Sequence, residues 1–294
     1  MKVVVKVNGG LGNQMFQYAL GRKLAITRGA ELYLDLSFFD LPAGVHTSRP
    51  FELDVFNVEF QRAPEAMLRS FERIRSSRPR MVLQRIAPGL SPLRLFHERG
   101  FPFDPAVFDM VADTYLDGHW QSEQYFNDVN EVIREDFTFV HPADQEVQRT
   151  LDRIGACNAV SLHIRRGDYV THGPAGQFHG VCGVDYYARA VAFLRERVEA
   201  PSLFIFSDDL AWAREHLHFD LPMTFVDAGA EIGNWNDMRS MSHCEHHIIA
   251  NSSFSWWGAW LNPDPDKIVV APARWFLDNA IDSRDLVPTS WITL

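Results

Sequence analysis

The first forty residues alternate between the two periodicities that distinguish strands from helices. Residues Lys2 to Val7 are mostly valine and lysine, and Glu31 to Leu34 form a second short run, so both segments are predicted strands. Between them, from about Asn13 to Arg28, apolar residues recur every four positions beginning at Phe16, which places them on one face of a helix. The chain is therefore predicted to begin as a β-α-β unit.

A longer alternation begins near Ala159. Its apolar runs are short and nearly continuous, which is typical of parallel strands that are covered on both faces. The predicted strands are residues 159–164, 203–206, 224–226, 247–250 and 268–271, and the predicted helices are residues 185–198, 210–217, 236–242 and 256–261. The second half is therefore predicted to be an α/β fold with a doubly wound parallel sheet.

The length of 294 residues favours two domains, because a single hydrophobic core stops growing at roughly 250 to 300 residues. We place the boundary near His141-Pro142, which gives domains at residues 1–142 and 143–294. Between Pro50 and about Val140 the pattern is less regular, and we expect helical pieces separated by prolines.

Composition and charge narrow the class of protein. Hydrophobic residues make up 46% and charged residues 22%, as in soluble globular chains. The formal charge of −10 disfavours nucleic acid as a partner. No run approaches the roughly 18 apolar residues that a membrane span needs, and the start does not resemble a signal peptide, so we expect a cytoplasmic protein. Three cysteines without a C-x-x-C pair indicate neither disulfides nor a zinc site.

One segment departs from the acidic average. Residues Arg69 to Arg99 contain eight arginines and two glutamates and neither aspartate nor lysine, a local balance of +6. One interpretation is a solvated helical face. The other is a patch that contacts anionic lipid, which would make the protein peripheral at the inner face of a membrane.

Polar residues follow three of the predicted strands in the second half. His163 to Asp168 follow the first strand, Ser207 to Asp209 follow the second, and Asn251 to Ser255 open a helix after the fourth. Ligands of open parallel sheets bind beyond the carboxyl ends of the strands. The three segments are therefore predicted to line one crevice.

Two of these segments suit a diphosphate. Arg165 and Arg166 present planar guanidinium groups that can grip phosphate oxygens in pairs. Ser252 and Ser253 stand at a predicted helix start, where backbone N–H groups and the helix dipole favour an anion. For any single residue, a helix cap or a surface ion pair remains the alternative.

The carboxylates of the same edge suit the rest of a nucleotide. Asp208 and Asp209 could accept hydrogen bonds from a ribose or from guanine. Asp168 could hold Arg165 in place or could act as a base, and His179 is a second candidate base.

The glycine-rich segment Gly9 to Gln14 joins the first predicted strand to the first helix. Met15 stands where the dinucleotide fingerprint G-x-G-x-x-G needs its third glycine, although Asp35 at the next strand end fits that pattern. The alternative is a loop that approaches a ligand, with Asn13 and Gln14 donating amide hydrogen bonds.

Four motifs together resemble a known family. GGLGNQMFQYA near the start, HIRRGD at 163–168, SDD at 207–209 and NSSFSWWGAW at 251–260 are similar, in order and spacing, to motifs of the α-1,2-fucosyltransferases, particularly bacterial ones without a membrane anchor. The resemblance implies a GT-B fold of two Rossmann-like lobes facing a cleft. GDP-fucose would bind the carboxyl-terminal lobe, and the acceptor would enter through the amino-terminal lobe.

The resemblance also implies a reaction and its residues. The reaction would be an inverting, metal-independent transfer of fucose to the 2-hydroxyl of a terminal galactose, on an oligosaccharide or a lipid-linked glycan of surface polysaccharide. Arg165 matches the arginine that grips phosphate, and with Asp168 and His179 it completes the catalytic candidates. The candidate substrate-binding residues are Gly10, Gly12, Asn13, Gln14, His163, Arg166, Ser207, Asp208, Asp209, Asn251, Ser252, Ser253 and Phe254.

Three other hypotheses compete. A metal-dependent transferase could bind its metal at Asp264-Pro265-Asp266, although Asp-Pro is also common in ordinary turns. The histidines and the cysteine of residues 243–247 could suggest a metal cluster, although neighbouring residues of a strand face opposite ways. A sugar-binding module could use Trp256, Trp257 and Trp260, although the four-residue spacing also fits core packing. A nicotinamide oxidoreductase would bind NAD at the glycine-rich loop.

Overall fold

Two parallel sheets organise the protein in a computed structural model that describes residues 1–42, 49–77, 79, 82, 93–109, 112–167, 180–227 and 235–294. The chain divides into two units, residues 1–140 with 284–286, and residues 141–283 with 287–294. The return of residues 284–286 to the first unit has no signal in the sequence. Asp285 explains it, because its carboxylate accepts hydrogen bonds from the backbone N–H of Phe103 at 2.9 Å and from the Gln124 amide at 3.0 Å.

The first unit is built on a sheet with the order β3-β2-β1-β5-β4, in which every pairing is parallel. Its elements are β1 (Lys2–Lys6), α1 (Leu11–Arg28), β2 (Glu31–Asp35), β3 (Gln61–Arg62), α2 (Glu65–Arg75), β4 (Leu93–His97), β5 (Asp113–Asp117) and α3 (Asn130–Asp136). Short 3-10 helices cover Leu53–Val55, Pro105–Asp109, Glu123–Tyr125 and Asn127–Val129. The β-α-β start predicted from periodicity is confirmed.

The helical pieces expected between Pro50 and Val140 are present, but this region also supplies β3, β4 and β5, which were not predicted. Strand β5 has the sequence Asp-Thr-Tyr-Leu-Asp, with only three buried residues between two polar ends. Its strand character comes from pairing with β1 on one side and β4 on the other. A five-residue segment carries too little periodic pattern to reveal such partners.

Helix α1 packs so closely on the sheet that one position requires a glycine. A Cβ atom built on Gly21 would lie 2.5 Å from Val5 Cγ2 and 2.9 Å from Leu32 Cδ1, so the helix backbone rests directly on β1 and β2. The helix ends at Gly29, which has a φ of +56° and donates its N–H to the carbonyls of Ala25 and Ile26. A left-handed residue of this kind stops a helix without steric cost when it is glycine.

The second unit has a six-stranded sheet with the order β11-β10-β9-β6-β7-β8, again wholly parallel. Its strands are β6 (Ala159–Ile164), β7 (Ser202–Ser207), β8 (Met223–Phe225), β9 (His246–Ile248), β10 (Val269–Ala271) and β11 (Ile292–Thr293). Its helices are α4 (Gln145–Ile154), α5 (Val184–Arg195), α6 (Leu210–His216), α7 (Trp235–Ser242) and α8 (Ser253–Leu261). The predicted doubly wound parallel sheet is confirmed.

The order of the strands creates a switch point beside β6. The chain builds β6, then β7 and β8 on one side, and then crosses to β9 on the other side of β6. The segments that follow β6 and β9 therefore leave the sheet in opposite directions. Open α/β sheets bind ligands in the crevice that such a reversal leaves at the carboxyl ends of the strands.

The tryptophans of the second unit belong to its core. Trp256, Trp257 and Trp260 on α8 are at most 4% exposed, and their rings pack on one another at centroid distances of 5.0 to 6.1 Å. Burial of this kind stabilises the domain through apolar area and ring contacts. The core-packing interpretation of these residues is confirmed, so they offer no exposed platform for a sugar.

Two stretches of the arginine-rich segment are described in continuous structure: residues 93–99 include β4, and residues 69–77 include the end of α2. There Arg69 pairs with Glu65 at 2.7 Å and Arg75 with Glu72 at 3.2 Å, and all four side chains are exposed. Such pairs agree with a solvated helical face, while contact with anionic lipid stays a prediction. Among the residues described, no helix joins the length and the apolar character that crossing a bilayer requires.

The close contact at Gly21 generates a stability prediction. We expect Gly21→Ala to lower the free energy of unfolding by about 1–3 kcal/mol, because the added methyl group overpacks the interface of α1 with β1 and β2. Urea denaturation followed by circular dichroism would measure the change. Gly155→Ala is the control, since Gly155 has φ −68° and its built Cβ has only ordinary contacts, the nearest at 3.6 Å. Equal stability of both variants and the wild type would contradict the packing argument.

Candidate functional site

Two arginines and two aspartates meet where β6 and β7 end side by side. The strands pair in register up to Ile164 and Ser207, so the residues directly after them are neighbours. Arg165 Nη1 lies 3.0 Å from Asp208 Oδ2, and the Arg166 backbone N–H donates to Asp208 Oδ1 at 2.8 Å. The two oxygens of one carboxylate therefore fix both arginine positions.

The Arg166 side chain is held by two contacts. Its Nε lies 3.4 Å from Asp209 Oδ2, and its guanidinium carbon lies 4.0 Å from the centroid of the Trp212 ring. Trp212 in turn stacks on His216 at 4.6 Å with an interplanar angle of 14°. A guanidinium over an aromatic face gains cation–π attraction, so Arg166 is fixed before any ligand arrives.

Trp212 is a site residue that the sequence did not reveal. It lies in the first turn of α6, where its backbone N–H donates to Asp209 Oδ1 at 3.0 Å. Ser207 Oγ accepts from the Asp209 N–H at 2.9 Å and so completes this turn. The sequence signal that could have identified Trp212 is the predicted helix start after the SDD motif. The first turn of that helix brings its third residue, Trp212, back toward the end of the strand.

Gly167 is required by the close approach of the two strand ends. A Cβ atom there would lie 2.7 Å from Asp208 Oδ2 and 3.1 Å from its Cγ. Any larger residue would push Asp208 away from the two arginines. The glycine of the HIRRGD motif is therefore explained by the geometry of the carboxylate.

His163 is the buried member of the same edge. It is 5% exposed, its Nδ1 has no hydrogen-bond partner, and its ring packs against Phe254 at 5.7 Å. Burial lowers the pKa of His163 to about 4, with Asp208 opposing that shift and Arg165 adding to it. The ring is therefore neutral at physiological pH and can donate from one nitrogen and accept at the other.

Helix α8 begins beside β6, at the end of the neighbouring strand β9. Ser252 caps it, since its Oγ accepts from the Phe254 N–H at 3.3 Å. A helix start of this kind carries a partial positive charge and backbone N–H groups that suit an anion. The structure thus brings the helix start beside the strand that Arg165 follows, across the switch point.

Asn251 is buried and hydrogen-bonded within the protein, and its contact with a ligand stays a prediction. It is 2% exposed, and its amide donates to the carbonyls of Gly180 at 3.3 Å and Trp275 at 3.1 Å. Cys182 Sγ approaches its oxygen at 3.5 Å. The buried amide therefore anchors the segment from which α8 starts.

A carboxyl group at the same end of the sheet also has an unusual environment. Asp237 lies in the first turn of α7, and burial, with a smaller contribution from Asp227, raises its pKa to about 7. Its Oδ1 is buried without a hydrogen-bond partner. At neutral pH this carboxyl populates both protonation states, which no motif in the sequence indicated.

Asp168 and His179, the two candidate bases, lie outside the described residues. Their roles stay predictions.

The glycine-rich loop of the first unit lies at the switch point of its own sheet, beside β5. Gly9 has a φ of +76°, and a Cβ there would lie 2.8 Å from Asn13 Nδ2. Gly10 is the N-cap residue of α1, with open space around the position of a Cβ, and Gly12 is buried in the first turn. The loop therefore has no room for a side chain at Gly9, whereas a side chain at Gly10 would extend into open space.

The side chain of Gln14 makes its hydrogen bonds within the protein. It is fully buried, its amide donates to the carbonyls of Gly9 and Pro50 at 2.9 Å each, and its oxygen accepts from the Glu52 N–H at 2.9 Å. Both amide hydrogens are thus bonded within the protein in this structure, and a contact of Gln14 with a substrate stays a prediction. Asn13 is half-buried and accepts from the Gln121 amide at 2.8 Å.

Asp35 is likewise committed within the protein. It is 5% exposed, accepts the hydroxyl hydrogen of Tyr115 at 2.6 Å, and accepts from the Ser37 N–H at 3.0 Å. The ribose contact that a dinucleotide site would need is therefore taken by Tyr115. Asp35 therefore gives no support to the hypothesis of a nicotinamide oxidoreductase, whose glycine fingerprint already lacks its third glycine.

The competing metal motifs form ordinary structure. Asp264 closes a turn by accepting from the Asp266 N–H at 2.8 Å. His247 is buried between Ser161 at 2.8 Å and Asn262 at 3.0 Å. Across the described part of the chain, no group of three or more histidine, cysteine or acidic residues is placed to hold a metal ion.

Comparison with solved structures defines the class of fold. A variant of Arabidopsis thaliana FUT1 in complex with GDP matches with a TM-score of 0.56 at 11% identity, over 99% of this chain and 76% of that one. Together with the two parallel-sheet units, this likeness gives the chain a GT-B glycosyltransferase fold. The fold class predicted from the sequence is confirmed.

Comparison of sequences then gives the family. The model of glycosyl transferase family 11 matches residues 96–294, and the chain belongs to that family. It is 35% identical to an Escherichia coli alpha-1,2-colitosyltransferase over 99% of this chain and 98% of that protein. It is 34% identical to the O-antigen biosynthesis glycosyltransferase WbnK of Escherichia coli, over 98% and 99%. It is 28% identical to galactoside alpha-(1,2)-fucosyltransferase 1 of Ateles belzebuth, over 86% and 63%. The resemblance carried by the four motifs is confirmed.

The buried neutral state of His163 predicts a pH dependence of stability. Because the folded pKa of about 4 lies below the unfolded value near 6.5, the unfolded state binds more protons between these values. Stability from His163 is complete above pH 6.5 and falls as the pH drops toward 4. We expect His163→Phe to remove about 2 kcal/mol of the wild-type loss between pH 7.5 and pH 5.

Urea denaturation of both proteins at the two pH values measures this difference. His218→Asn, at an exposed histidine, is the control and should keep the wild-type pH dependence. A His163→Phe variant that loses as much stability as the wild type would contradict a buried neutral imidazole.

Proposed function

We propose that this protein transfers L-fucose from GDP-β-L-fucose to the 2-hydroxyl of a terminal galactose, with inversion and without a metal ion. The observation that carries the proposal is the Asp208 carboxylate, which fixes Arg165 and Arg166 beside the start of α8. In this proposal the second unit binds the donor and the first unit binds the acceptor.

The chemistry needs a fixed cation at the departing phosphate. Glycosyl transfer passes through an oxocarbenium-like state, so negative charge grows on the leaving GDP. Arg165 would receive that charge, because its guanidinium is already oriented by Asp208 at 3.0 Å and does not reorganise during the reaction. The N–H groups at the start of α8 would receive the remaining charge.

Neighbouring residues would bind the rest of the nucleotide. His163, neutral and 5% exposed, would donate a ring hydrogen to a ribose or phosphate oxygen. Asp209 and Ser207 would hold the turn that presents Arg166. Phe254 and Ser253, in the first turn of α8, would form the wall next to the diphosphate.

Proton removal from the acceptor hydroxyl is assigned in this proposal to Asp168, with His179 as the second candidate. His163 is poorly suited to the task, since a base with a pKa of about 4 binds a proton weakly at neutral pH.

The relatives support both halves of the reaction. A structurally similar protein binds GDP, and the primate relative is a galactoside alpha-(1,2)-fucosyltransferase. Family 11 membership supports glycosyl transfer itself. The two Escherichia coli relatives connect the chain to bacterial O-antigen assembly, which agrees with an acceptor on a surface polysaccharide.

A second candidate donor is GDP-colitose, because the chain is 35% identical to a colitosyltransferase along almost its whole length. Colitose is fucose without its 3-hydroxyl. A site that hydrogen-bonds a substrate hydroxyl rejects the analogue that lacks it by large factors, whereas a purely apolar site does not. The choice between the two donors is therefore a property of groups near that one hydroxyl.

A direct assay tests the proposal. The protein is given GDP-fucose or GDP-colitose, with lactose and other β-galactosides, in the presence of EDTA, and GDP release and product linkage are followed by enzyme-coupled assay and NMR. We expect an α-1,2-linked fucosyl product and slower turnover of GDP-colitose. Faster turnover of GDP-colitose would establish the second candidate, and activity that requires added Mn²⁺ would overturn metal independence.

The fixed guanidinium generates a mutational prediction. We expect Arg165→Lys to lower kcat nearly as much as Arg165→Ala, about 100- to 1,000-fold, because a point charge cannot replace a planar fork held by Asp208. Arg149→Lys is the matched control, since Arg149 lies exposed on α4 in a pair with Glu146. Turnover of Arg165→Lys within about threefold of the wild type would refute this role for Arg165.

A further inference from the structure

A cavity of about 430 Å³ lies within the first unit, at the carboxyl edge of its sheet. Lys6 and Asp35, the last residues of β1 and β2, reach it from the sheet, and α2 forms another wall. Its volume falls within the roughly 300–1,000 Å³ typical of small-molecule sites. The edge at which it lies is the one where open parallel sheets bind ligands.

The cavity is lined by equal numbers of positively and negatively charged side chains. Lys6, Arg69 and Arg75 face Asp35, Glu65 and Glu72. Arg69 pairs with Glu65 at 2.7 Å and Arg75 with Glu72 at 3.2 Å, while Lys6 pairs with Asp117 at 3.1 Å. A wall of paired charges has no excess positive charge, so it does not select a phosphate as the arginines after β6 do. It presents carboxylate acceptors and guanidinium donors together, which suits the hydroxyl groups of a neutral ligand.

A buried hydrogen bond adds an oriented acceptor. Tyr115 donates its hydroxyl hydrogen to Asp35 at 2.6 Å, and both residues line the cavity. Because the hydrogen is used by Asp35, the phenol oxygen is left to act as an acceptor. Burial, strengthened by the bond to Asp35, raises the pKa of Tyr115, so the phenol stays neutral.

The remaining wall is apolar. Phe38, Leu41, Leu68, Phe71 and Leu95 line the cavity together with the Tyr115 ring. Phe71 and Tyr115 pack at a centroid distance of 5.3 Å, which fixes both rings. A site with fixed apolar walls and paired polar side chains matches a sugar, whose C–H faces are apolar and whose edges carry hydroxyl groups.

We propose that this cavity binds uncharged sugar units of the acceptor glycan and so sets acceptor preference. The inference rests on the proposed function for the identity of the saccharide as an acceptor. It goes beyond it in assigning Arg69, Glu72, Leu68 and Tyr115 as specificity-determining residues of the first unit.

Two cavity variants and one control on the same helix test the inference. Leu68→Trp fills the cavity, and Arg69→Ala removes a donor from its wall. Arg73→Ala changes an arginine on α2 that does not line the cavity, although it borders the shallow surface depression next to it. For each full-length variant, KM is measured for methyl β-galactoside, lactose and a galactose-terminated trisaccharide, and GDP affinity is measured by calorimetry.

We expect both cavity variants to raise KM for the trisaccharide at least about tenfold, the equivalent of losing one well-placed contact. KM for methyl β-galactoside should change much less, so the advantage of the longer acceptor should shrink. Arg73→Ala should behave as the wild type, and GDP affinity should stay unchanged in all three variants. This split distinguishes a lost acceptor contact from a general loss of structure, and melting temperatures identify any variant that fails to fold.

The outcomes separate the two proposals. If the folded Arg69→Ala protein keeps the wild-type preference for the longer acceptor, the cavity inference is overturned and the fucosyltransferase proposal stands. If the wild type binds GDP but shows no binding on an array of galactose-terminated oligosaccharides, the cavity inference is again overturned. If the wild type does not bind GDP, the proposed function itself fails. Altered acceptor preference in Arg73→Ala equal to that in Arg69→Ala would attribute the effect to surface charge and would also overturn the cavity inference.

Discussion

One carboxylate holds together the carboxyl edge of the sheet in the second unit. Asp208 follows β7 and reaches across to the end of β6, where one oxygen pairs with the Arg165 guanidinium and the other accepts the Arg166 backbone N–H. Two adjacent arginines repel each other, and an unpaired pair would spread apart in solvent. The carboxylate offsets this repulsion and fixes the guanidinium in advance, which is the condition under which a donor stabilises a developing charge most effectively. Gly167 is required because a side chain there would displace that carboxylate.

Both units use one topological device with different chemistry. In each sheet the strand order reverses beside the strand that begins the sheet in the sequence, β1 in the first unit and β6 in the second. The second unit places two arginines and a helix start at this reversal, which suits a diphosphate. At the carboxyl edge of the first unit, the charges form pairs over an apolar wall, which suits a neutral ligand. The fold supplies the edge, and the side chains that follow the strands decide what binds there.

The sequence predicted the second unit more fully than the first. Residues 159–164 form a strand with the predicted bounds, because all six are buried and a parallel strand covered on both faces gives a continuous apolar run. Strands β4 and β5 were missed, since each has only five residues with polar positions among them and becomes a strand only through pairing. The residues of the candidate site divide in the same way, into those that the local sequence indicates and those that only tertiary contacts bring in. Arg165, Arg166, Asp208 and Ser252 were found because they follow strands, whereas Trp212 joins them only through the first turn of α6.

The sequence by itself determined the α/β class, the motifs after each strand and the family that those motifs define, because these depend on local pattern and residue chemistry. Only the tertiary structure decided how individual side chains are used. Gln14 and Asn251 were expected at a ligand, and both are buried with their amides donating to backbone carbonyls of residues distant in the sequence. A buried amide must satisfy its hydrogen-bonding groups wherever the fold provides partners, and those partners are set by the packing of segments that the local sequence does not connect.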